Sequence, residues 1–176
     1  MKRSLRGMCE IALGAVFLAL GAWIAVPLTP PFTMQTFALC CLGFLLGGRK
    51  TLAATGLYLS LGIIGLPVFA GWQSGVGVLF GPTGGFLLGF LAFGLIGCIP
   101  AKTPALRTLR AAAGLAACYV FGTAWFMLIY NKTAAGFAAA VMTCVVPFIV
   151  PDAVKLVLAA AVCKRLEPHL NRLSKR

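Results

Sequence analysis

Acidic side chains are scarce in this 176-residue chain. Asp and Glu together number three, against fifteen Lys and Arg, and charged residues make up 10% of the sequence, whereas a soluble domain carries about 25%. So few carboxylates give enzyme chemistry poor support, because the sequence offers neither paired carboxylates nor a Ser–His constellation. We therefore predict no catalytic residues.

Metal and disulfide patterns are missing as well. The single histidine, His169, lies in the polar tail, and the seven cysteines include no CxxC pair. We interpret these cysteines as small hydrophobic residues rather than metal ligands or disulfide partners. The prediction is a protein without a metal or a cofactor.

Apolar residues dominate what remains. They make up 61% of the chain, and the mean hydropathy is +1.00. Long continuous apolar runs, rather than alternating patterns, indicate an all-α membrane protein. The net charge of +12 does not predict a nucleic-acid partner, because the basic residues form short clusters between apolar runs, as in the loops of a membrane protein.

The apolar runs predict a single domain, 1–176, of six transmembrane helices with basic cytoplasmic ends at 1–7 and 167–176. A short outer segment is expected at 134–146, ahead of the last helix. We expect Pro151 at the first position of that helix and Asp152 in its first turn, where the helix dipole favours an anion. The predicted helices cover residues 8–26, 36–46, 52–64, 86–99, 106–130 and 151–166.

The basic residues predict the orientation. With the N-terminus in the cytoplasm, all fifteen Lys and Arg except Lys132 and Lys155 fall on the cytoplasmic side. This asymmetry predicts a multi-pass protein of the cell membrane with both termini inside. The three external connections, 27–35, 65–85 and 131–150, are long, which favours a site reached from outside.

Asp152 and Lys155 are the leading candidate site. Three residues apart on a helix, they share one face, and ionisable groups at membrane depth usually face a cavity or the bundle interior. The alternative is that Asp152 caps the helix and Lys155 only neutralises it. We favour a polar small-molecule site.

Two external segments carry further candidates. Gln35 enters helix 2 beside Thr33 and Thr36, which are possible N-caps, and its amide can both donate and accept. The glycine-rich segment 65–85 lacks a Walker lysine, so it predicts either a flexible lid or close helix packing rather than a nucleotide site. In a lid, Trp72 would supply stacking area and Gln73 an amide; the alternative for Trp72 is an interfacial anchor. The glycines of the predicted lid are Gly71, Gly75, Gly81, Gly84 and Gly85.

Helix 1 carries small residues at Ala15 and Ala19, with Ala22 nearby. This pattern is typical of close helix packing. From the residues alone, packing inside the bundle and a groove for a partner helix are both open interpretations. Glu10 is interpreted either as offsetting Arg6 or as extending to the membrane interface, and it is assigned no functional role.

Five motifs follow one another along the chain. They are Pro-Phe-Thr-Met-Gln-Thr-Phe at 31–37, Leu-Gly-Gly-Arg-Lys at 46–50, Gly-Leu-Pro-Val-Phe-Ala-Gly at 65–71, Phe-Gly-Pro-Thr-Gly-Gly-Phe at 80–86 and Val-Pro-Phe-Ile-Val-Pro-Asp-Ala-Val-Lys at 146–155. In this order they resemble the BioY family, the biotin-binding substrate-capture components of energy-coupling factor (ECF) vitamin transporters.

The resemblance implies a six-helix protein that binds biotin from outside and couples to a membrane scaffold subunit and two cytoplasmic ATPases. It implies that Asp152 and Lys155 hold the biotin head group, that Gln73 supplies a lid amide, and that Ala15 and Ala19 contact the scaffold. Related capture proteins for another vitamin, an uptake protein working alone, and a structural subunit are the alternatives.

One position departs from the family pattern. Some members have an arginine, suited to the carboxylate tail of biotin, where this chain has Leu87. Lys155, solvent and backbone amides are then the candidates for neutralising the tail. For the apolar parts of biotin, the expected wall residues are Trp72, Phe86, Tyr58 and Trp125.

Overall fold

The computed structural model describes residues 2–130 and 136–174, which form seven α-helices and one small hairpin. Strands β1 (Ala25–Val26) and β2 (Phe32–Thr33) pair antiparallel, with Ala25 opposite Thr33. The predicted all-α class is confirmed. The helices are α1 (Lys2–Trp23), α2 (Gln35–Leu45), α3 (Gly48–Ile63), α4 (Gly84–Gly97), α5 (Pro104–Tyr130), α6 (Gly136–Cys144) and α7 (Val146–Ser174).

Three helical stretches of the described residues are long and apolar enough to cross a membrane. They are Leu5–Trp23, Pro104–Ile129 and Ala138–His169, and the shorter helices α2 and α4 are also apolar. This agrees with a membrane protein, because a span needs about 20 predominantly apolar residues. The predicted number of six spans and the orientation stay predictions.

Several predicted helix boundaries are wrong at the polar ends. The chain turns directly from α2 into α3 at Gly47, which has a φ of 75°, so Arg49 and Lys50 lie in the first turn of α3 rather than in a loop. Helices α1 and α7 also extend into the basic ends, to Lys2 and Ser174. The physical reason is that Lys, Arg, Glu and Leu favour helices, so charge marks the limit of a span but not of a helix.

The start of the last helix also differs from the prediction. Helix α7 begins at Val146 and contains Pro151, so Asp152 lies in its second turn and does not cap it. Pro147 occupies the first turn, where a missing N–H costs nothing. The short segment predicted at 134–146 is present as the helix α6, and its first two residues lie outside the described residues.

Helix α1 packs against α2 and α3. Its residues Ala15, Ala19 and Ala22 are buried in the core, and the Glu10 carboxylate accepts hydrogen bonds from Arg6 and from Lys50 of α3. Ala15 and Ala19 are therefore buried within the bundle in this structure, and their contact with a scaffold subunit stays a prediction. The predicted pairing of Glu10 with Arg6 is confirmed.

The hydrophobic core lies between the helices of the bundle. Its buried side chains come from six helices, α1 to α5 and α7, and they include Leu39 of α2, Ala54 of α3, Phe93 of α4 and Ala159 of α7. Where α1 ends and α2 begins, the core borders a cavity, and its residues Phe90 and Leu115 also line that cavity.

Candidate ligand-binding site

A cavity of about 1130 Å³ lies at this end of the bundle. Its walls are the end of α1 at Trp23, the hairpin segment 25–36, the connection 69–83, and parts of α4, α5 and α7. The volume is slightly above the range of about 300–1,000 Å³ that is usual for small-molecule sites. The cavity is large enough for a ligand of vitamin size.

Asp152 and Lys155 lie together in the wall of this cavity. Lys155 Nζ donates to Asp152 Oδ1 at 2.7 Å, and each residue is only 5% exposed. An ion pair this deeply buried persists only when its remaining donors and acceptors are also satisfied. The neighbouring side chains supply those partners.

The Asp152 carboxylate accepts two further hydrogen bonds. Thr36 Oγ1 donates to Oδ1 at 2.8 Å, and Tyr119 Oη donates to Oδ2 at 2.6 Å. Because an ionised carboxylate has about four acceptor positions, these three bonds leave roughly one position, on Oδ2. Asp152 is therefore held in a fixed orientation with one acceptor position left for a ligand.

Lys155 is fully engaged. Besides Asp152, its ammonium donates to the Thr33 carbonyl at 2.7 Å and to Thr36 Oγ1 at 3.1 Å, and it lies 3.7 Å from the centroid of the Phe32 ring. These contacts use all three of its N–H donors. Lys155 thus ties the hairpin segment to α7.

Gln35 lies in the same wall and is almost fully buried. Its Nε2 donates to Tyr58 Oη at 2.8 Å, and its Oε1 accepts from Thr33 Oγ1 at 3.0 Å. Tyr58 does not line the cavity as expected. It lies fully buried behind Gln35, edge-on to Phe69 with centroids 5.6 Å apart, so it orients the amide.

Trp72 covers one side of the cavity mouth. Its ring stacks on Trp23 with centroids 4.3 Å apart and planes at 15°, and Trp23 Nε1 donates to the Pro67 carbonyl at 2.9 Å. Trp72 has a φ of 62°, which a bulky residue rarely adopts, so the stack holds it in an unusual conformation. Gln73 follows it in the cavity wall.

The five glycines predicted to form a lid fall into two groups. Gly71 and Gly75 have φ of 67° and 90°, where glycine is favoured, and the Gly81 carbonyl accepts from Trp125 Nε1 at 3.2 Å. Gly84 and Gly85 instead lie in the first turn of α4. A Cβ on Gly85 would lie 2.2 Å from the Trp125 Cβ, so its role is close packing of α4 on α5.

The remaining predicted wall residues are only partly in place. Phe86 and Leu87 line the cavity, whereas Trp125 does not and instead anchors the connection at Gly81. Tyr119 and Phe148 also line the cavity, although the sequence did not predict them. The available signal for Tyr119 was one of a few hydroxyls in an apolar run, which does not indicate its partner 33 residues away.

The structure places no metal-binding cluster in the residues it describes: 2–130 and 136–174 contain no group of three or more His, Cys, Asp or Glu side chains that could hold a metal ion. All seven cysteines are free, and five of them are buried. The five buried cysteines pack as small side chains, as predicted.

Fold and site together define a helical membrane protein with a ligand-sized cavity around a buried ion pair. The family model described as the BioY family matches residues 1–172. The chain therefore belongs to the BioY family, and it is a transport protein rather than an enzyme. The predictions of the family and of a non-enzymatic protein are confirmed.

Individual relatives agree with this membership. The biotin transporter BioY of Thermotoga maritima is 36% identical over 168 residues, which cover 93% of this chain and 96% of the relative. The probable biotin transporter BioY of Pyrococcus horikoshii is 36% identical over 163 residues, covering 90% and 96%.

A solved structure shares the fold. The S-component for biotin from an ECF-type ABC transporter superposes with a TM-score of 0.81 at 21% identity, covering 95% of this chain and 93% of that one. This likeness supports the arrangement of the helices around the cavity.

Proposed function

We propose that this protein binds biotin from outside the cell in the cavity and delivers it as the capture subunit of an ECF transporter. Relatives named as biotin transporters are similar over more than 90% of their length. The observation that carries the proposal is the buried polar group at the cavity wall, in which Thr36 and Tyr119 hydrogen-bond to the Asp152–Lys155 pair. Gln35 lies in the same wall.

The chemistry of these groups matches the ureido ring of biotin, which has two N–H donors and one carbonyl acceptor. Asp152 Oδ2 retains an acceptor position, and Gln35 Nε2 has a second N–H beside the one that it gives to Tyr58. Lys155 can donate to the ring carbonyl only by exchanging one of its present partners. Charge-assisted bonds of this kind contribute about 1.5–3 kcal/mol each.

The rest of the cavity suits the apolar parts of biotin. Phe86, Leu87 and Phe90 of α4 and Leu115 of α5 form one wall, and the Trp23–Trp72 stack borders the mouth. With Leu87 in place of a cation, we expect the carboxylate tail to point toward the exposed mouth, where solvent and the neutral donors of Gln73 and Ser74 hydrogen-bond to it.

The orientation proposed is six spans with both termini in the cytoplasm. The Glu10 cluster with Arg6 and Lys50, and the Arg107–Glu167 ion pair, lie at the opposite end of the bundle from the cavity. Because basic residues accumulate on the cytoplasmic side, this arrangement favours a cavity that opens outward.

Coupling to a scaffold subunit and two ATPases is proposed from the membership in the BioY family. The sequence has no Walker motif, so energy from ATP must come from other chains. On α1 the surface available to a partner is the exposed apolar face of Leu13, Val16, Phe17 and Leu20, rather than the buried alanines. The same face would otherwise contact lipid.

Calorimetric titration of the detergent-purified protein with biotin tests the binding proposal. We expect tight binding, and a loss of about 2 kcal/mol or more for a folded Asp152→Asn variant. Absence of binding by the wild type would reject the biotin assignment. Biotin uptake by liposomes containing this chain alone would reject the coupled mechanism in favour of a solitary transporter.

A further inference from the structure

Tyr119 has an unexplained position in the cavity wall. Its Oη lies 2.6 Å from Asp152 Oδ2, and the side chain faces the cavity. An ionised carboxylate can only accept hydrogen bonds, so the phenol must be the donor. The phenol oxygen therefore keeps its own acceptor lone pairs.

The geometry of Asp152 makes these lone pairs important. Oδ1 already accepts from Thr36 and Lys155, so a ligand donor can reach the carboxylate only at Oδ2. At that oxygen a ligand N–H meets two acceptors side by side, Asp152 Oδ2 and Tyr119 Oη. A bifurcated hydrogen bond from one N–H to both oxygens is compatible with their 2.6 Å separation.

We propose that Tyr119 is a specificity-determining residue that contacts the ligand: with Asp152 Oδ2 it forms a two-oxygen acceptor for one ring N–H of a cyclic urea. The inference rests on the proposed function and adds a named contact to it. Its direct consequence is selectivity against ligands in which that nitrogen carries a methyl group instead of hydrogen.

The experiment compares biotin with its two ureido N-methyl derivatives on the wild type and on Tyr119→Phe. We expect the wild type to bind biotin and to discriminate against one of the derivatives. In Tyr119→Phe, we expect biotin affinity to fall at least about fivefold. The ratio of the affinity for biotin to the affinity for that derivative should shrink by a similar factor. A merely structural role of Tyr119 would lower both affinities and leave their ratio unchanged.

Tyr58→Phe is the matched control. It also removes a tyrosine hydroxyl from a buried hydrogen bond, but Tyr58 acts through Gln35 and lies behind the wall. We expect this variant to weaken biotin binding with the N-methyl discrimination unchanged. The same narrowing of discrimination in both variants would overturn the inference.

The outcomes separate the two proposals. If the wild type does not bind biotin, the proposed function fails. If the wild type binds biotin but Tyr119→Phe keeps its discrimination, only the role of Tyr119 is overturned. If Tyr119→Phe does not fold, the N-methyl discrimination of Asp152→Asn is compared with that of Asp152→Asn/Tyr119→Phe, because the neutral amide does not require a donor from Tyr119. Weaker discrimination in the double variant supports the inference, and equal discrimination overturns it.

Discussion

The Lys155 ammonium donates to the backbone carbonyl of Thr33 at 2.7 Å, across 122 residues of sequence. A charged side chain of α7 is thereby bonded to the backbone of β2, in the segment that borders the cavity. If a ligand carbonyl takes one of the Lys155 donors, a contact to Asp152, Thr33 or Thr36 must lengthen. Binding and the position of the hairpin are then coupled.

The buried ion pair predicts that a double variant separates the effect on stability from the effect on binding. Asp152→Asn and Lys155→Met should each lower the free energy of unfolding by about 3–5 kcal/mol, because each leaves an unpaired buried charge. The double variant should recover most of this loss but not biotin affinity. Thermal melting in detergent and calorimetry measure the two quantities; a double variant that melts as low as the single ones would contradict the expectation.

The Trp23–Trp72 stack predicts an effect on ligand release. Trp72→Ala should raise the dissociation rate of biotin about 2- to 10-fold, since an aromatic pair contributes about 0.5–1.5 kcal/mol. The melting temperature should hardly change, because Trp72 is 62% exposed. Stopped-flow displacement of labelled biotin measures the rate.

Phe80→Ala is the control for that experiment. Phe80 is 65% exposed on the same connection but does not line the cavity. An equal acceleration in both variants would show that loss of any exposed aromatic ring loosens the connection, and would contradict a specific role of the stack.

Two glycines of α3 predict opposite changes in stability. A Cβ on Gly62 would lie 2.0 Å from Phe69 Cζ, so Gly62→Ala should displace the ring and cost about 1–3 kcal/mol. Gly56 has open space at the same position, and Gly56→Ala should stabilise the helix by up to about 1 kcal/mol. Thermal melting of both variants checks this, and similar melting temperatures would argue against the Phe69 contact.

Cys98 tests the orientation. It is exposed at the end of α4 remote from the cavity, whereas Ser74 lies at the cavity. In a Cys9→Ser background, a membrane-impermeant maleimide should label Cys98 in inside-out vesicles only. In a Cys9→Ser/Cys98→Ser background, it should label Ser74→Cys in right-side-out vesicles only. The reverse pattern would place both termini outside.

Much of the helical organisation was predictable because apolar runs are long and local. The helix starts at polar ends were not, since Arg49 and Lys50 mark the limit of an apolar run while remaining helical. The start of α7 was placed too late because Pro151 fits a first turn equally well in isolation, and only the packed structure shows Pro147 in that place.

The candidate site was predictable where its members are close in sequence. Asp152 and Lys155 stand out because a buried charge is rare at membrane depth, and their i, i+3 spacing gives them one face. Tyr119, Thr33 and Tyr58 reach the pair or Gln35 from separate segments. Which hydroxyl meets which partner depends on how the helices rotate and tilt, and periodicity carries no such information.

The sequence by itself determined that the protein is built for a lipid bilayer, that it is helical, and that it resembles the BioY family. It also determined that Asp152 and Lys155 share one helix face. These properties depend on composition and on residues a few positions apart. The tertiary structure decided that Ala15 and Ala19 face inward, that Tyr58 lies behind Gln35, and that Gly85 packs α4 on α5. It also decided that Tyr119 shares Asp152 with Lys155. Each of these depends on contacts between helices, whose faces can be distinguished only once they are packed together.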